Sequence, residues 1–201
     1  MQYTRETMPA PLVHADDVET VADRRTSPYL EISGGLTWFR EVVRTLRRLR
    51  HRFVQGRKLR LGKDVVFGSS VTLRIPEFGR IGDRVSVGPG FVAQANFDVG
   101  PDVLISGRVA FIGNDHAFDD PEKTIFGQGR FPPATVVLEG DNLIGFGSIV
   151  IGTVRIGKGC IVGAGSVVTR DLPPNTICAG VPAKPIRARF EIRGTGSTSP
   201  E

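Results

Sequence analysis

From Leu61 onward, apolar residues return every six positions, and each is usually followed by glycine or another small residue. The hexads begin as LGKDVV (61–66) and FGSSVT (67–72) and break at the irregular LRIPEFGR (73–80). They resume as IGDRVS, VGPGFV, AQANFD, VGPDVL, ISGRVA and FIGNDH, from Ile81 to His116. The period lapses over residues 117–137 and returns with apolar starts at Leu138, Ile144, Val150, Ile156, Val162 and Val168. A helix repeats near 3.6 residues and a strand near 2, so a period of six is neither. One short strand and one turn per hexad would satisfy it, with three hexads closing a triangular coil of 18 residues. The apolar starts then point inward and stack between coils: Ile81 with Val99, Leu138 with Ile156, Ile144 with Val162. The glycine next in line relieves crowding and tolerates unusual turn dihedrals. Such coils pair as a parallel β-helix, a one-dimensional stack that needs a cap at each end.

Ahead of the repeats, Trp38, Val42, Leu46, Leu49 and Phe53 follow at steps of four, four, three and four, one face of an amphipathic helix expected over residues 34–58. The opposite face is almost all arginine. Leu36 to Arg60 holds nine Lys or Arg against the single Glu41, a net +8, whereas the whole chain carries +5 and the remainder therefore −3. So local a basic patch points to an anionic surface as partner and does not make the protein a nucleic-acid binder. Two placements of the helix follow. Its apolar stripe packs on the domain while the arginines stay in water, or it lies on an anionic membrane surface. In either case it is positioned to cap one end of the coils.

Residues 1–33 show no periodicity and are expected to form a mobile arm. Residues 59–190 form the repeat domain, with 117–137 as an inserted loop. At its far end Leu172-Pro173-Pro174 breaks the repeat and leads into an extended arm and a short terminal helix. Residues 191–201 are expected to be an unstructured tail. With 201 residues there is room for one ordinary domain, and 25 glycines without a collagen period must serve a folded repeat. Cys160 and Cys178 are too few for a disulfide framework and read as small buried side chains in a reducing compartment. No apolar run approaches the roughly 20 residues that span a bilayer, and no signal sequence opens the chain, so a cytoplasmic protein is expected.

The hexads, GAGSVVTRDLPPN (163–175), AGVPAKPIR (179–187) and the loop carrying NDHAFDDPE (114–122) resemble the hexapeptide-repeat acyltransferases, closest to the maltose, galactoside and polysaccharide O-acetyltransferase group. The resemblance covers roughly residues 60–190. It implies an all-β fold, a left-handed parallel β-helix with an N-terminal amphipathic helix and a loop inserted after His116. It also implies a homotrimer in which acetyl-CoA lies in a groove between neighbouring β-helices and a loop histidine acts as base. His116 occupies that position, and a neutral imidazole suits a hydroxyl that must lose its proton as it attacks a thioester. On the donor side the resemblance assigns Ala164 to the pantetheine arm, matches Thr169 and Arg170 to the pair that follows it, and sets Lys184 and Arg187 against the CoA phosphates. Phe146 departs from the pattern, standing where a small residue is usual, and is expected to reshape the groove. The position of the acceptor-binding asparagine falls at Gly88, so the acceptor does not transfer; Asn96 and Asp98 are weaker candidates for the same groove. Asp115, Asp119, Asp120 or Glu122 would orient the His116 ring, or all four are solvated loop charges.

The reading favoured is therefore an acetyl-CoA-dependent transferase acting on a sugar or glycan hydroxyl, without a metal and without a covalent acyl-enzyme. An N-acyltransferase acting on an amino sugar or antibiotic shares the fold. A metal-dependent carbonic anhydrase of the same architecture needs three histidines at one metal, and the others here are His14 in the arm and His51 in the helix. A non-catalytic β-helix scaffolding a membrane complex would keep the hexads but would need neither His116 nor AGVPAKPIR.

Overall fold

The computed structural model describes residues 34–113 and 115–190; the expectations for residues 1–33 and 191–201 lie outside them. The chain divides into two compact units, residues 1–40 and 41–201. The described part of the first is the opening of helix α1 (Gly34–Gln55), where the exposed rings of Trp38 and Phe39 meet edge to face at 6.2 Å. The second holds the rest of α1, a short 3-10 turn (Gly56–Lys58) and all the strands.

The strands wind as five coils of three. They are β1 (Leu59–Leu61), β2 (Val66–Phe67), β3 (Thr72–Leu73); β4 (Gly79–Ile81), β5 (Ser86–Val87), β6 (Val92–Gln94); β7 (Asn96–Val99), β8 (Leu104–Ile105), β9 (Ala110–Ile112); β10 (Thr135–Leu138), β11 (Leu143–Ile144), β12 (Ile149–Ile151); and β13 (Val154–Ile156), β14 (Ile161–Val162), β15 (Val167–Val168). Each strand pairs in parallel with its equivalents in adjoining coils, giving three sheets: first (β1-β4-β7-β10-β13), second (β2-β5-β8-β11-β14) and third (β3-β6-β9-β12-β15). The stacks read from the period are the observed register, Ile81 with Val99, Leu138 with Ile156 and Ile144 with Val162. Coil 1 is the long one, pairing Leu61 with Ile81, because Pro76 sits in its extra turn.

Two residues of most hexads face inward, the first and the fifth, as with Ile81 and Val85 or Val87 and Phe91, and all four are buried. Volume is shared between coils. Phe97 and Phe91 pack edge-on to Phe111, and Phe97 fits because Gly79 lies above it, where an added Cβ would come within 2.5 Å of the ring. In most hexads of the first two turns the second position is glycine for a different reason: the next coil rests on it. A Cβ on Gly145 would stand 2.4 Å from the backbone nitrogen of Ala164, an overlap that side-chain motion cannot relieve. The fourth position turns the corner. In the first two turns of every coil it has positive φ, from Asp64 at 54° to Gly165 at 67°. Arg84 and Arg108 accept this conformation at a cost of about 1 kcal/mol each. Arg84 recovers part of it by a two-pronged pair with Asp102 one coil on, at 2.5 and 2.7 Å, which holds the Asp102 carboxyl below its usual range. Buried polar side chains are all engaged among the described residues: Asn142 bridges Gly140 N, Gly157 O and Cys160 O, and Ser148 donates to Gly163 O.

Helix α1 caps coil 1, but with the face opposite to the one first expected. The coil-1 ladder donates its N–H groups forward, from Gly62 to Ile81 O, Gly68 to Val87 O and Arg74 to Ala93 O. Its backward-facing carbonyls would otherwise be an open sheet edge. Arg48 donates to Gly62 O at 2.7 Å, Gln55 to Leu73 O at 2.7 Å and Lys58 to Pro76 O at 2.7 Å, with Arg47 3.4 Å from Phe67 O. His51, 5% exposed, lays its ring 4.8 Å from that of Phe67. The packing of the apolar stripe on the domain is thereby overturned: Leu46, Leu49 and Phe53 are 59, 54 and 89% exposed. A row of acceptors prefers cationic donors to leucine.

At the other end β16 (Thr176–Gly180) extends the second sheet beside β14, and β17 (Ala183–Ala188) returns antiparallel to it. This hairpin replaces the expected terminal helix, because β14 offers an unpaired edge that a strand can use and a helix cannot. Arg189 pins the hairpin to Asp141 Oδ2 at 2.7 Å and Gly159 O at 3.2 Å.

Burial, with the Arg50 charge adding to it, pushes the His51 imidazole below its ordinary value. The folded state then binds fewer protons than the unfolded one. The contribution of His51 is thus whole above about pH 6.5 and is lost as the pH falls below it. The melting temperature should fall between pH 7.5 and pH 5.5, and His51→Phe, which keeps a ring against Phe67, should flatten that part of the profile. An unchanged slope in the variant would contradict the assignment.

Candidate active site

Each coil has three corners, and the candidate residues fall at two of them and on the terminal hairpin. His116 lies in the excursion of residues 113–134 that replaces the short turn from β9 to β10; residues 135–137 are already strand. The base of this loop is tied by Ala134 N to Gly113 O at 2.6 Å. His116 itself is held in paired backbone, bridging Arg130 in antiparallel fashion between Phe131 N to Asp115 O (3.0 Å) and Ala117 N to Gly129 O (3.1 Å). Phe118 and Phe131 close edge-on at 5.2 Å just beyond. The backbone of His116 is therefore fixed while its side chain is exposed. That combination suits a group that must meet a substrate.

Of the four loop acids, Asp120 is occupied in holding the loop. It pairs with Lys123 at 2.7 Å and accepts from Glu122 N at 3.0 Å, and both contacts keep its carboxyl below the usual range. Gln128 ties the same turn to Asp120 O and Lys123 O. Asp115, Asp119 and Glu122 are exposed. The loop tip presents Ile125 and Phe126 to the outside, the latter more fully exposed than any other large apolar side chain among the described residues.

Ala164 and Phe146 sit one above the other at the corner between the second and third sheets, in the column Ser69, Pro89, Gly107, Phe146, Ala164. The Phe146 ring leans back over Gly107, whose added Cβ would lie 3.3 Å from it, and the Arg108 guanidinium stands 5.7 Å from the ring centre. Ala164 is left exposed. Ser69, Ser70, Pro89, Gly90, Arg108 and Phe146 line a shallow cleft of about 540 Å³ along this corner. Arg108 was missed in the sequence, although its 18-residue spacing from Gly90 and its matching hexad position to Gly147 beyond the loop contained the signal. Thr169 and Arg170 are exposed after β15, at the same corner as the His116 loop but two coils on. Lys184 and Arg187 are exposed on β17, opposite Ala179 and Ile177. The structure thus gathers Ala164 with Phe146 and Lys184 with Arg187, and it leaves His116 at a different corner from Ala164.

Two weaker candidates have structural work instead. Asn96 is buried, accepts from Glu77 N and Phe78 N at 3.0 and 3.2 Å and donates to Glu77 Oε2, so it braces the extra turn of coil 1. Asp98 pairs with Arg80 at 3.2 Å. Among the described residues no group of three His, Cys, Asp or Glu is placed to hold a metal ion. Cys160 and Cys178 are buried one above the other with sulfurs 3.9 Å apart.

No family model matches the chain. A tetrahydropyridine-2,6-dicarboxylate N-acetyltransferase of Staphylococcus aureus is 46% identical over 66 residues, 32% of this chain and 28% of that protein. The chain thus spans less than a third of the length of such curated relatives. Among solved structures, a hexapeptide-repeat-containing acetyltransferase of Vibrio cholerae aligns with a TM-score of 0.59 and 26% identity over 75% of this chain and 93% of that one. AntD, an N-acyltransferase from Bacillus cereus in complex with dTDP and coenzyme A, shares the fold, with a TM-score of 0.56 and 21% identity over 70% of this chain and 89% of its own. The hexad period, three parallel sheets and these likenesses define a hexapeptide-repeat β-helix. Within that class the chain is similar to hexapeptide-repeat acetyltransferases.

Burial pushes the Cys160 thiol up to about 12, the adjacent Cys178 adding to the effect, and burial raises Cys178 as well. Neither is a nucleophile in the folded chain. Iodoacetamide at pH 8 should leave both unlabelled until the protein is denatured, and Cys160→Ala should retain the activity of the parent; rapid labelling of the native protein would count against this.

Proposed function

We propose that the protein transfers the acetyl group of acetyl-CoA to a hydroxyl of a sugar or glycan, with His116 as general base. The observation that carries this reading is an exposed imidazole on fixed backbone, in the long excursion that leaves the solenoid between β9 and β10. As the acceptor oxygen attacks the thioester carbonyl, its proton passes to the unprotonated His116 nitrogen and a C–O bond forms. When the tetrahedral intermediate collapses the C–S bond breaks, and the imidazolium returns the proton to the departing CoA thiolate. Ala164 leaves room for the pantetheine arm, with Thr169 and Arg170 following it at the next corner. Lys184 and Arg187 supply charge for the phosphates. Phe146, with Arg108 against it, narrows the groove on the side of Gly107.

Since His116 and Ala164 stand at different corners of one chain, a complete site calls for the loop of one copy beside the groove of another. This supports a homotrimer. N-acylation of an amino sugar or antibiotic is the second reading; the N-acetyltransferase among the relatives favours transfer to nitrogen and does not bear on the acceptor class.

His116→Ala should lower transfer of labelled acetyl from acetyl-CoA to cell-envelope saccharides by about 10²–10⁴-fold. The product should be an ester, released by mild alkali; an alkali-stable amide would favour the second reading, and an undiminished rate in the variant would remove His116 from the chemistry. Co-expressed His116→Ala and Ala164→Trp chains should recover up to about a quarter of wild-type activity if each site is shared between copies. No recovery, from two variants that each assemble, would place the whole site within one chain.

A further inference from the structure

We propose that the outward face of α1 seats on an anionic lipid surface. An amphipathic helix ordinarily buries its apolar stripe in its own domain. Here Arg47, Arg48, His51 and Gln55 are turned onto coil 1, and Val42, Leu46, Leu49 and Phe53 lie about half a turn away, all exposed. The stripe therefore has no role in holding the solenoid.

Charge selects the occupant. Exposed Arg50, Arg52 and Arg57 accompany the stripe, and the single acid between Glu41 and Arg60, Glu41 itself, is already bound by Arg44 at 2.5 Å. A helix with an apolar face, flanking arginines and no free carboxylate is matched to the boundary between anionic headgroups and acyl chains. A second copy of the chain fits poorly. It would bring like-charged helices together, and a stable protein interface takes about 20–30 residues a side, where this stripe offers four apolar ones. No helix among the described residues is long and apolar enough to cross a membrane, so the contact is one of lying on the surface. The inference is independent of the acetyl-transfer reading.

The full chain should cosediment at low salt with vesicles of phosphatidylcholine containing about one third phosphatidylglycerol, and far less with phosphatidylcholine alone. The triple variant L46S/L49S/F53S changes only exposed residues and should keep its circular dichroism and melting temperature. It should bind the mixed vesicles at least about tenfold more weakly. R50E/R57E should weaken binding comparably. The proposal is overturned if the wild-type chain ignores the mixed vesicles, or if the triple variant binds as well as the parent, which would leave a diffuse attraction of arginines for anions. It is overturned equally if the triple substitution lowers the mass found by sedimentation equilibrium, since the stripe would then be an interface between copies.

Discussion

Coil rests on coil so closely that, in most hexads of the first two turns, the second residue has no room for a side chain. The Cβ that Gly145 lacks would be 2.4 Å from the next coil's backbone, and Gly62, Gly68 and Gly88 are as tightly met. From that contact the other features follow. Strands two to four residues long leave the fourth hexad position to reverse the chain, hence its positive φ even at Arg84 and Arg108. The first and fifth positions form continuous inward columns. Little freedom remains for chemistry inside such a stack, and groups that meet substrates must stand at its corners or leave it. His116 leaves it on a loop; Phe146 and Ala164 stand at a corner whose width is set by what the coils above and below carry there.

The period made the columns and their register legible because it is imposed by this geometry alone. The orientation of α1 was not legible for a related reason. Amphipathic patterning presumes that a helix meets an apolar surface, whereas the end of a parallel β-helix is a row of carbonyl groups. Against Gly62, Leu73 and Pro76, guanidinium, amide and ammonium groups are the complementary partners, and the pattern was inverted. The terminal hairpin escaped local reading in the same way, since AGVPAKPIR becomes strand by pairing with a sheet edge formed far away in sequence.

At the candidate site the legible part was residue identity, and the illegible part was who faces whom. His116 could be singled out as the histidine of the repeats, and Ala164 by its place in GAGSVVT. That they occupy separate corners depends on which turn interrupts the coil. Asn96 was a candidate for the groove, yet the extra turn around Pro76 buries it as a brace for Glu77 and Phe78. Polar residues within the repeats are ambiguous in sequence because the same hydrogen-bonding capacity serves a cap or a ligand.

The two ends of the second sheet differ in what they offer. Strand β2 lies beneath the helix cap, and β17, with Lys184 and Arg187 exposed, forms the opposite edge. A lipid surface seated on α1 would lie at the coil-1 end, while a polyanionic donor held by Lys184 and Arg187, as proposed, would lie at the other. Donor and surface then do not compete for space or for arginines. The His116 loop, which leaves the stack between coils 3 and 4, lies between these two ends. The arginines that hold the cap cannot be exchanged for aliphatic residues without exposing carbonyls, and the stripe opposite them is therefore free to be selected for contact outside the chain.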